Sequence, residues 1–225
     1  MFSGIVEAQA KILSTAHSND LRDQNGQNAL VRIKVERPRH FTDLHAGDSI
    51  CTSGVCLTVE SFDDSSIQFA LGAETLSVTG WSAENLKNKS INLERSLRMG
   101  DRIHGHMVSG HVDARATVVF VKDLGGSTQF DVRIDDVDDS SSPPLALERF
   151  VWKKGSWAVN GVSLTINSVE NGVVSHCLIP ETLLRTNLGE IKVGDRVNVE
   201  IDMMARGLVN FLETAENRDR ARGVK

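Results

Sequence analysis

The chain has 225 residues, of which 40% are hydrophobic and 24% charged, ordinary proportions for a folded chain with a core. Its formal net charge of −5 argues against a nucleic-acid or anionic-membrane surface. No apolar run approaches the ~20 residues that span a bilayer.

In chain order, the opening MFSGIVEAQAK lacks the basic start and long apolar segment of a secretory signal. Val31-Arg32-Ile33-Lys34-Val35 alternates with period two and predicts a strand, as do Phe130-Asp131-Val132-Arg133-Ile134 and Val197-Asn198-Val199-Glu200-Ile201. Asn25-Gly26, Gly125-Gly126 and Asn171-Gly172 predict turns. Short helices are expected over Pro38 to Leu44, Ala73 to Leu86 and Pro180 to Leu188, the last stopped by Gly189. Asp135 to Ser142, followed by Pro143-Pro144, reads as loop. After Asp202 the texture changes: Met204, Leu208 and Leu212, with Phe211 beside them, form an amphipathic helical stripe that runs into a charged tail. Such a helix caps a barrel or holds subunits together, and the second is the expectation.

One pattern organises all of this. Gly54-Val55-Cys56-Leu57-Thr58-Val59 returns as Gly161-Val162-Ser163-Leu164-Thr165-Ile166, and Glu74-Thr75-Leu76 as Glu181-Thr182-Leu183. Phe2-Ser3-Gly4-Ile5-Val6 returns as Val108-Ser109-Gly110-His111-Val112, and Ile91-Asn92-Leu93-Glu94 as Val197-Asn198-Val199-Glu200. The offsets are 107, 107, 106 and 106, so the chain is a tandem duplication of one unit of about 100 residues. Short strands divided by turns predict an all-β fold, one small closed antiparallel barrel per copy. The expected units are residues 1–106, 107–203 and a helix and tail over 204–225.

Polar motifs kept in both copies predict two versions of one pocket. The differences are chemical: Cys56 stands where copy two has Ser163, Lys154 where copy one has Gly47, and Asp202 where copy one has Ser96. Equal pockets would not need this asymmetry, whereas two molecules playing different parts in one reaction would. Cys51, Cys56 and Cys177 form no C-x-x-C motif and predict free thiols in a reducing, cytoplasmic setting. His104, His106 and His111 fall on opposite faces of an extended chain, against a metal site and for a ligand-contacting or junction role. His17, His40, His45 and His176 belong to no constellation. No phosphate-binding glycine loop, zinc-protease motif or nucleophile elbow is present.

Taken together, these motifs resemble the riboflavin synthase family along nearly the whole chain. They are Met1 to Glu7, Ser53 to Val59, Gly105 to Val112, Asn160 to Thr165, Ile179 to Leu183 and Val197 to Asp202. The resemblance implies two six-stranded antiparallel Greek-key barrels and a C-terminal helix, assembled as a homotrimer. It implies a cofactor-free and metal-free transferase reaction of 6,7-dimethyl-8-ribityllumazine giving riboflavin, at a site between one subunit's first barrel and a neighbour's second. By resemblance Gly4, Ile5, Val6, Cys56, Leu57, Thr58, Ala70, Leu71, Gly72, Ala73, Glu74 and Thr75 line the first pocket. Gly110, His111, Val112, Lys154, Ser163, Leu164, Thr165, Cys177, Leu178, Ile179, Pro180, Glu181 and Thr182 line the second. Ser49, Cys56, Thr58, Lys154 and Asp202 match the polar residues tied to turnover. The sequence departs from the common pattern at His104, usually Gly, and at Val55, where some members have a second Cys. The rival reading is a non-catalytic lumazine- or flavin-binding protein on the same fold.

Overall fold

The structure is a computed structural model, and it describes residues 1–17, 30–135 and 147–221. In copy one, β1 (Ala8–His17), β2 (Leu30–Glu36), β3 (Ser49–Thr52), β4 (Val55–Phe62), β5 (Ser66–Gly72) and β6 (Ser90–Arg95) close an antiparallel barrel in the order β1-β2-β5-β4-β3-β6. Two short helices, α1 (Ala73–Thr79) and α2 (Ala83–Leu86), cross from β5 to β6. Alternation does what period two requires: Val31, Ile33 and Val35 point into the core with Ile50, Leu57, Phe69 and Leu93.

Copy two repeats the plan with β7 (Ala114–Asp123), β8 (Thr128–Ile134), β9 (Ser156–Val159), β10 (Val162–Thr165), β11 (Ser168–Glu170), β12 (Val173–Leu178) and β13 (Arg196–Ile201). Its seven strands form one curled sheet, β10-β9-β13-β7-β8-β12-β11. β10 and β11 together take the place of β4. Where β4 passes through a bulge between Val59 and Ser61, copy two interrupts the strand at Ile166–Asn167. The sheet curls round its own core of Trp157, Val159, Val174, Val197 and Val199. α3 (Pro180–Arg185) begins at a proline suited to a first helical turn, and a 3-10 turn over Asn187–Gly189 follows.

The Gly125-Gly126 and Asn171-Gly172 turns join β7 to β8 and β11 to β12, Asn171 and Gly172 both with positive φ. Asn25-Gly26 and most of the Asp135–Pro144 stretch lie outside the described residues. The helix expected over Pro38–Leu44 is instead a turn. Arg37 donates to the Phe41 carbonyl from Nε (3.0 Å) and Nη2 (2.7 Å), taking up an acceptor that a helix would use. Phe41 and Leu44 are buried in the first barrel.

α4 (Met203–Ala221) ends the described chain. It packs through Ala205 and Val209 onto the second core. Arg206 Nη2 donates to Asp113 at 2.9 Å, and Arg149 pairs with Glu213. The stripe of Met204, Leu208, Phe211 and Leu212 faces away and is exposed. Among the described residues no helix is long and apolar enough to cross a membrane.

Candidate active site

The two copies are joined by exchanging their leading segments. Phe2 and Val108 pair across a two-bond bridge (2.8 and 3.0 Å) and share a buried cluster with Cys51 and Ala158. From there each segment runs onto the other copy's hairpin. Ser163 N–H donates to the Gly4 carbonyl at 2.8 Å, and Cys56 N–H to the Gly110 carbonyl at 2.8 Å. Only glycine fits either place. A Cβ on Gly4 (φ +74°) would lie 2.6 Å from Ser163 Cβ, and one on Gly110 (φ +81°) 2.6 Å from Cys56 Cβ.

A buried carboxylate fixes each crossing segment. Glu94 accepts from Ser3 N–H (2.6 Å), Ser3 Oγ (2.9 Å) and Gly4 N–H (3.0 Å). Glu200 accepts from Ser109 N–H (2.6 Å), Ser109 Oγ (2.7 Å), Gly110 N–H (2.9 Å) and His111 N–H (3.1 Å). Burial raises the Glu94 pKa, against the Ser3 and Gly4 hydrogen bonds that lower it. These clasps aim Ile5 and His111 outward, and both are exposed.

Register then decides which hairpin side chains share a face. Ser49 opposes Thr58 and Cys51 opposes Cys56, so these four project from the barrel while Ile50 and Leu57 enter the core. In copy two Ser156 opposes Thr165 and Ala158 opposes Ser163. Ser156 is thus the counterpart of Ser49, a position that comparing motifs alone does not bring out.

The expected residues separate into two open surfaces. Around Cys56 and Thr58, Ala70 and Thr75 are half-buried and Gly72, Ala73 and Glu74 exposed, while Leu57 and Leu71 support them from the first core. The crossing segment here is Gly110 to Val112, with the half-buried Val112 packed on that core and His111 exposed. Around Ser163 and Thr165, Lys154, Cys177, Ile179, Pro180 and Glu181 are exposed, Thr182 half-buried, and Leu164 and Leu178 in the core. The crossing segment here is Gly4 to Val6, with Val6 buried in the second core, so within one chain the two leading segments lie on the opposite surfaces from those expected of them. A cleft of about 790 Å³ on copy one takes in Ile5, Ser49, Glu94, Arg95 and His104, but not Cys56 or Thr58. Its wall is an ionic group: Arg95 binds Glu7 through Nε and Nη2 and Asp43 through Nη1 (2.6 Å), and lies over the Phe41 ring.

Lys154 and Asp202 both belong to copy two. Lys154 holds φ +70° where copy one uses Gly47, and its N–H donates to the Ile166 carbonyl at 2.8 Å. A lysine in the left-handed region stores strain of the kind that collects at functional positions. Asp202 ends β13 and caps α4, accepting from Met204 N–H at 2.9 Å. Among the described residues no hydrogen bond or ion pair joins Lys154 or Asp202 to Ser49, Cys56 or Thr58. The junction role expected of the histidines falls to His106. Its N–H donates to the Ser3 carbonyl (3.1 Å), and its Nδ1 lies 2.7 Å from Ser163 Oγ. Burial lowers its pKa, with the charges of Asp202 and Glu200 pulling the other way. No group of acidic, His or Cys side chains suited to a metal occurs among the described residues.

Comparison with known proteins agrees with the duplication. The Lumazine binding domain family matches residues 3–96 and 109–202. The chain is 36% identical over 216 residues to the riboflavin synthase of Brucella abortus (strain 2308), covering 92% of this chain and 95% of that one. It is 35% identical over 214 residues to that of Photobacterium leiognathi (95% and 89%), and 34% over 215 to that of Escherichia coli (strain K12) (95% and 92%). In fold it resembles LumP complexed with riboflavin, with a TM-score of 0.74 at 20% identity over 89% of this chain and 99% of that one. Two lumazine-binding repeats, joined by reciprocal crossing and matched to these relatives along almost their entire length, place the chain in the riboflavin synthase family.

Proposed function

We propose that the chain catalyses the riboflavin synthase reaction. Two molecules of 6,7-dimethyl-8-ribityllumazine exchange a four-carbon unit to give riboflavin and 5-amino-6-ribitylamino-uracil. Atoms balance between the two substrates and two products, so the exchange needs no oxidant, reductant or water. The observation that carries this reading is the near-full-length match to riboflavin synthases at 34–36% identity. The rival binding protein has only a fold-level likeness at 20% identity behind it.

The reaction asks for two like molecules held in unlike states. One loses a proton from its C7 methyl and becomes the carbon donor; the other is activated by a nucleophile adding to its electron-poor ring. Holding both rings stacked and dry contributes ~7–11 kcal/mol through positioning alone. The surface carrying Cys56, Thr58 and Ser49 would take one lumazine and the surface carrying Ser163, Thr165 and Lys154 the other. Cys56 or Ser49, directly or through a water, would activate the acceptor, while Lys154 and Asp202 steer protons and developing charge.

Among the described residues no hydrogen bond or ion pair joins Lys154 or Asp202 to the Cys56 set, which favours the two surfaces meeting between chains rather than within one. A trimer in which copy one of a protomer faces copy two of the next would bring them together, with residues 1–106 and 107–203 as the two lumazine units. The exposed Met204, Leu208, Phe211 and Leu212 stripe supports residues 204–225 as the segment that holds such an assembly. Free Cys51, Cys56 and Cys177 support a cytoplasmic setting.

Incubating the protein with the lumazine tests the reading. One riboflavin should appear for every two lumazines consumed, and binding without flavin formation would establish the rival. Cys56→Ser and Asp202→Asn should each slow single turnovers by ~10²-fold or more. Removing residues after Met203 should yield species smaller than a trimer in solution.

A further inference from the structure

We propose that Cys51 and Cys56 are an oxidation site, closing a reversible disulfide across the β3–β4 hairpin that withdraws Cys56 from the lumazine surface. The turn between these strands is the two-residue loop Ser53-Gly54, with φ of 44° and 88°, the doubly left-handed conformation of a tight hairpin. Thr52 and Val55 close the loop and Cys51 faces Cys56 one step further on. Cys56 N–H donates to the Gly110 carbonyl, away from β3. The pair is therefore of the kind without mutual hydrogen bonds, whose Cα atoms approach to ~4.5 Å. Disulfides span Cα separations of ~4.4–6.8 Å, so the hairpin already holds the two backbones at bonding distance. Both side chains leave the same face, Cys56 packing against the buried cluster of Phe2, Cys51, Val108 and Ala158.

The two thiols have unequal access, which sets the order of events. Cys51 is buried, and burial with the nearby Glu94 charge pushes its thiol well above the usual range. Cys56 is partly exposed and meets an oxidant first. With hydrogen peroxide as oxidant, the Cys56 thiolate attacks one oxygen and hydroxide leaves, giving a sulfenic acid. Cys51 sulfur then attacks Cys56 sulfur, the S–S bond forms and the sulfenic oxygen departs as water. Two thiols have lost two electrons, and one peroxide has become two waters.

Copy two shows that the Cys51 thiol is no packing requirement. Ala158 occupies the matching register opposite Ser163 within the same fold. Cys51→Ala therefore has a precedent inside the chain. The exposed Cys177 has no cysteine partner and serves as an internal comparator.

The experiment uses the full-length protein treated with graded hydrogen peroxide, unfolded in an alkylating agent, and mapped by peptide mass. The expected result is a linked Cys51–Cys56 peptide two hydrogens lighter than its reduced form, with Cys177 outside it, reversed by dithiothreitol. Flavin formation should fall ~10²-fold in step and return on reduction. Cys51→Ala should keep the untreated rate, then carry Cys56 to the sulfinic acid and lose activity that dithiothreitol does not restore. Cys51 still open to alkylation once Cys56 is oxidised overturns the proposal. The activity readout rests on the proposed synthase function, whereas the mapping does not. A mapped disulfide with an undiminished rate would overturn Cys56's place at the lumazine surface and leave the family reaction standing.

Discussion

Replacing Asn92 by Ala should loosen the joint between the copies more than replacing its repeat counterpart Asn198. Asn92 is buried, and its Nδ2 donates to the Asn160 carbonyl (2.9 Å) and to Asn187 Oδ1 (2.9 Å), while its Oδ1 accepts from Asn187 N–H (2.7 Å). Truncation strands two buried backbone groups, the Asn160 carbonyl and the Asn187 N–H; Asn187 Oδ1 keeps a donor in Asn160 Nδ2 at 3.3 Å. At ~1–3 kcal/mol for each buried group left unmade, the loss is ~2–6 kcal/mol. Folding stabilities run to only ~5–15 kcal/mol. Asn198 Nδ2 donates to the Ser53 carbonyl at 2.9 Å, so Asn198→Ala strands one such group and costs ~1–3 kcal/mol. Equilibrium urea unfolding at matched protein concentration measures both. With a slope of ~2–3 kcal/mol per molar urea, Asn92→Ala should move the midpoint down by ~0.7–3 M. Equal shifts for the two variants, or a loss under ~1 kcal/mol at Asn92, would refute the assignment of this network as the clamp between copies.

Gly110→Ala should cost several kcal/mol and part the copies, since its Cβ meets Cys56 backbone and Cβ. Gly194→Ala, at φ +95° with nothing within 4 Å, should cost only the ~1–2 kcal/mol of a left-handed residue, as thermal unfolding of both will show. Lys154→Gly should relieve its positive φ and leave stability equal or higher by up to ~1 kcal/mol while single-turnover flavin formation falls; an unchanged rate would remove its ammonium from the chemistry. His176, buried with its Nε2 accepting from Trp157 Nε1 at 2.9 Å, has its pKa lowered by burial to about 4 from the usual 6.5. The unfolded chain binds this proton more readily, so stability is full above pH ~6.5 and falls as pH drops toward ~4, by up to about 3 kcal/mol. His176→Phe should flatten that part of a urea-midpoint profile, and a profile as steep as the parent's would refute the account.

The duplication, the strand periodicity, the glycine turns and the polar motifs retained in both copies were all legible in the chain, because each is a local signal or an equality between two stretches. Even the order of elements in copy two could be carried over from copy one. Burial on the second face of a strand was not legible. Asn198 and Glu200 alternate with Val197, Val199 and Ile201 as solvent-facing residues should, yet all five are buried, Asn198 against Ser53 of the other copy and Glu200 beneath the crossing segment at Ser109 and Gly110. A sequence encodes the period of one buried face; which polar residues on the opposite face are enclosed depends on contacts about ninety residues away, such as Glu200 with Ser109 and Gly110. The same holds for the helical stripe at Met204 and Leu208, whose spacing specified amphipathicity but not that Ala205 and Val209, one residue further round, would meet the core. Tertiary structure alone decided those pairings, since only the passage of each leading segment across the joint to the other copy lays its amides over a carboxylate whose own hydrogen-bonding ladder never reaches them.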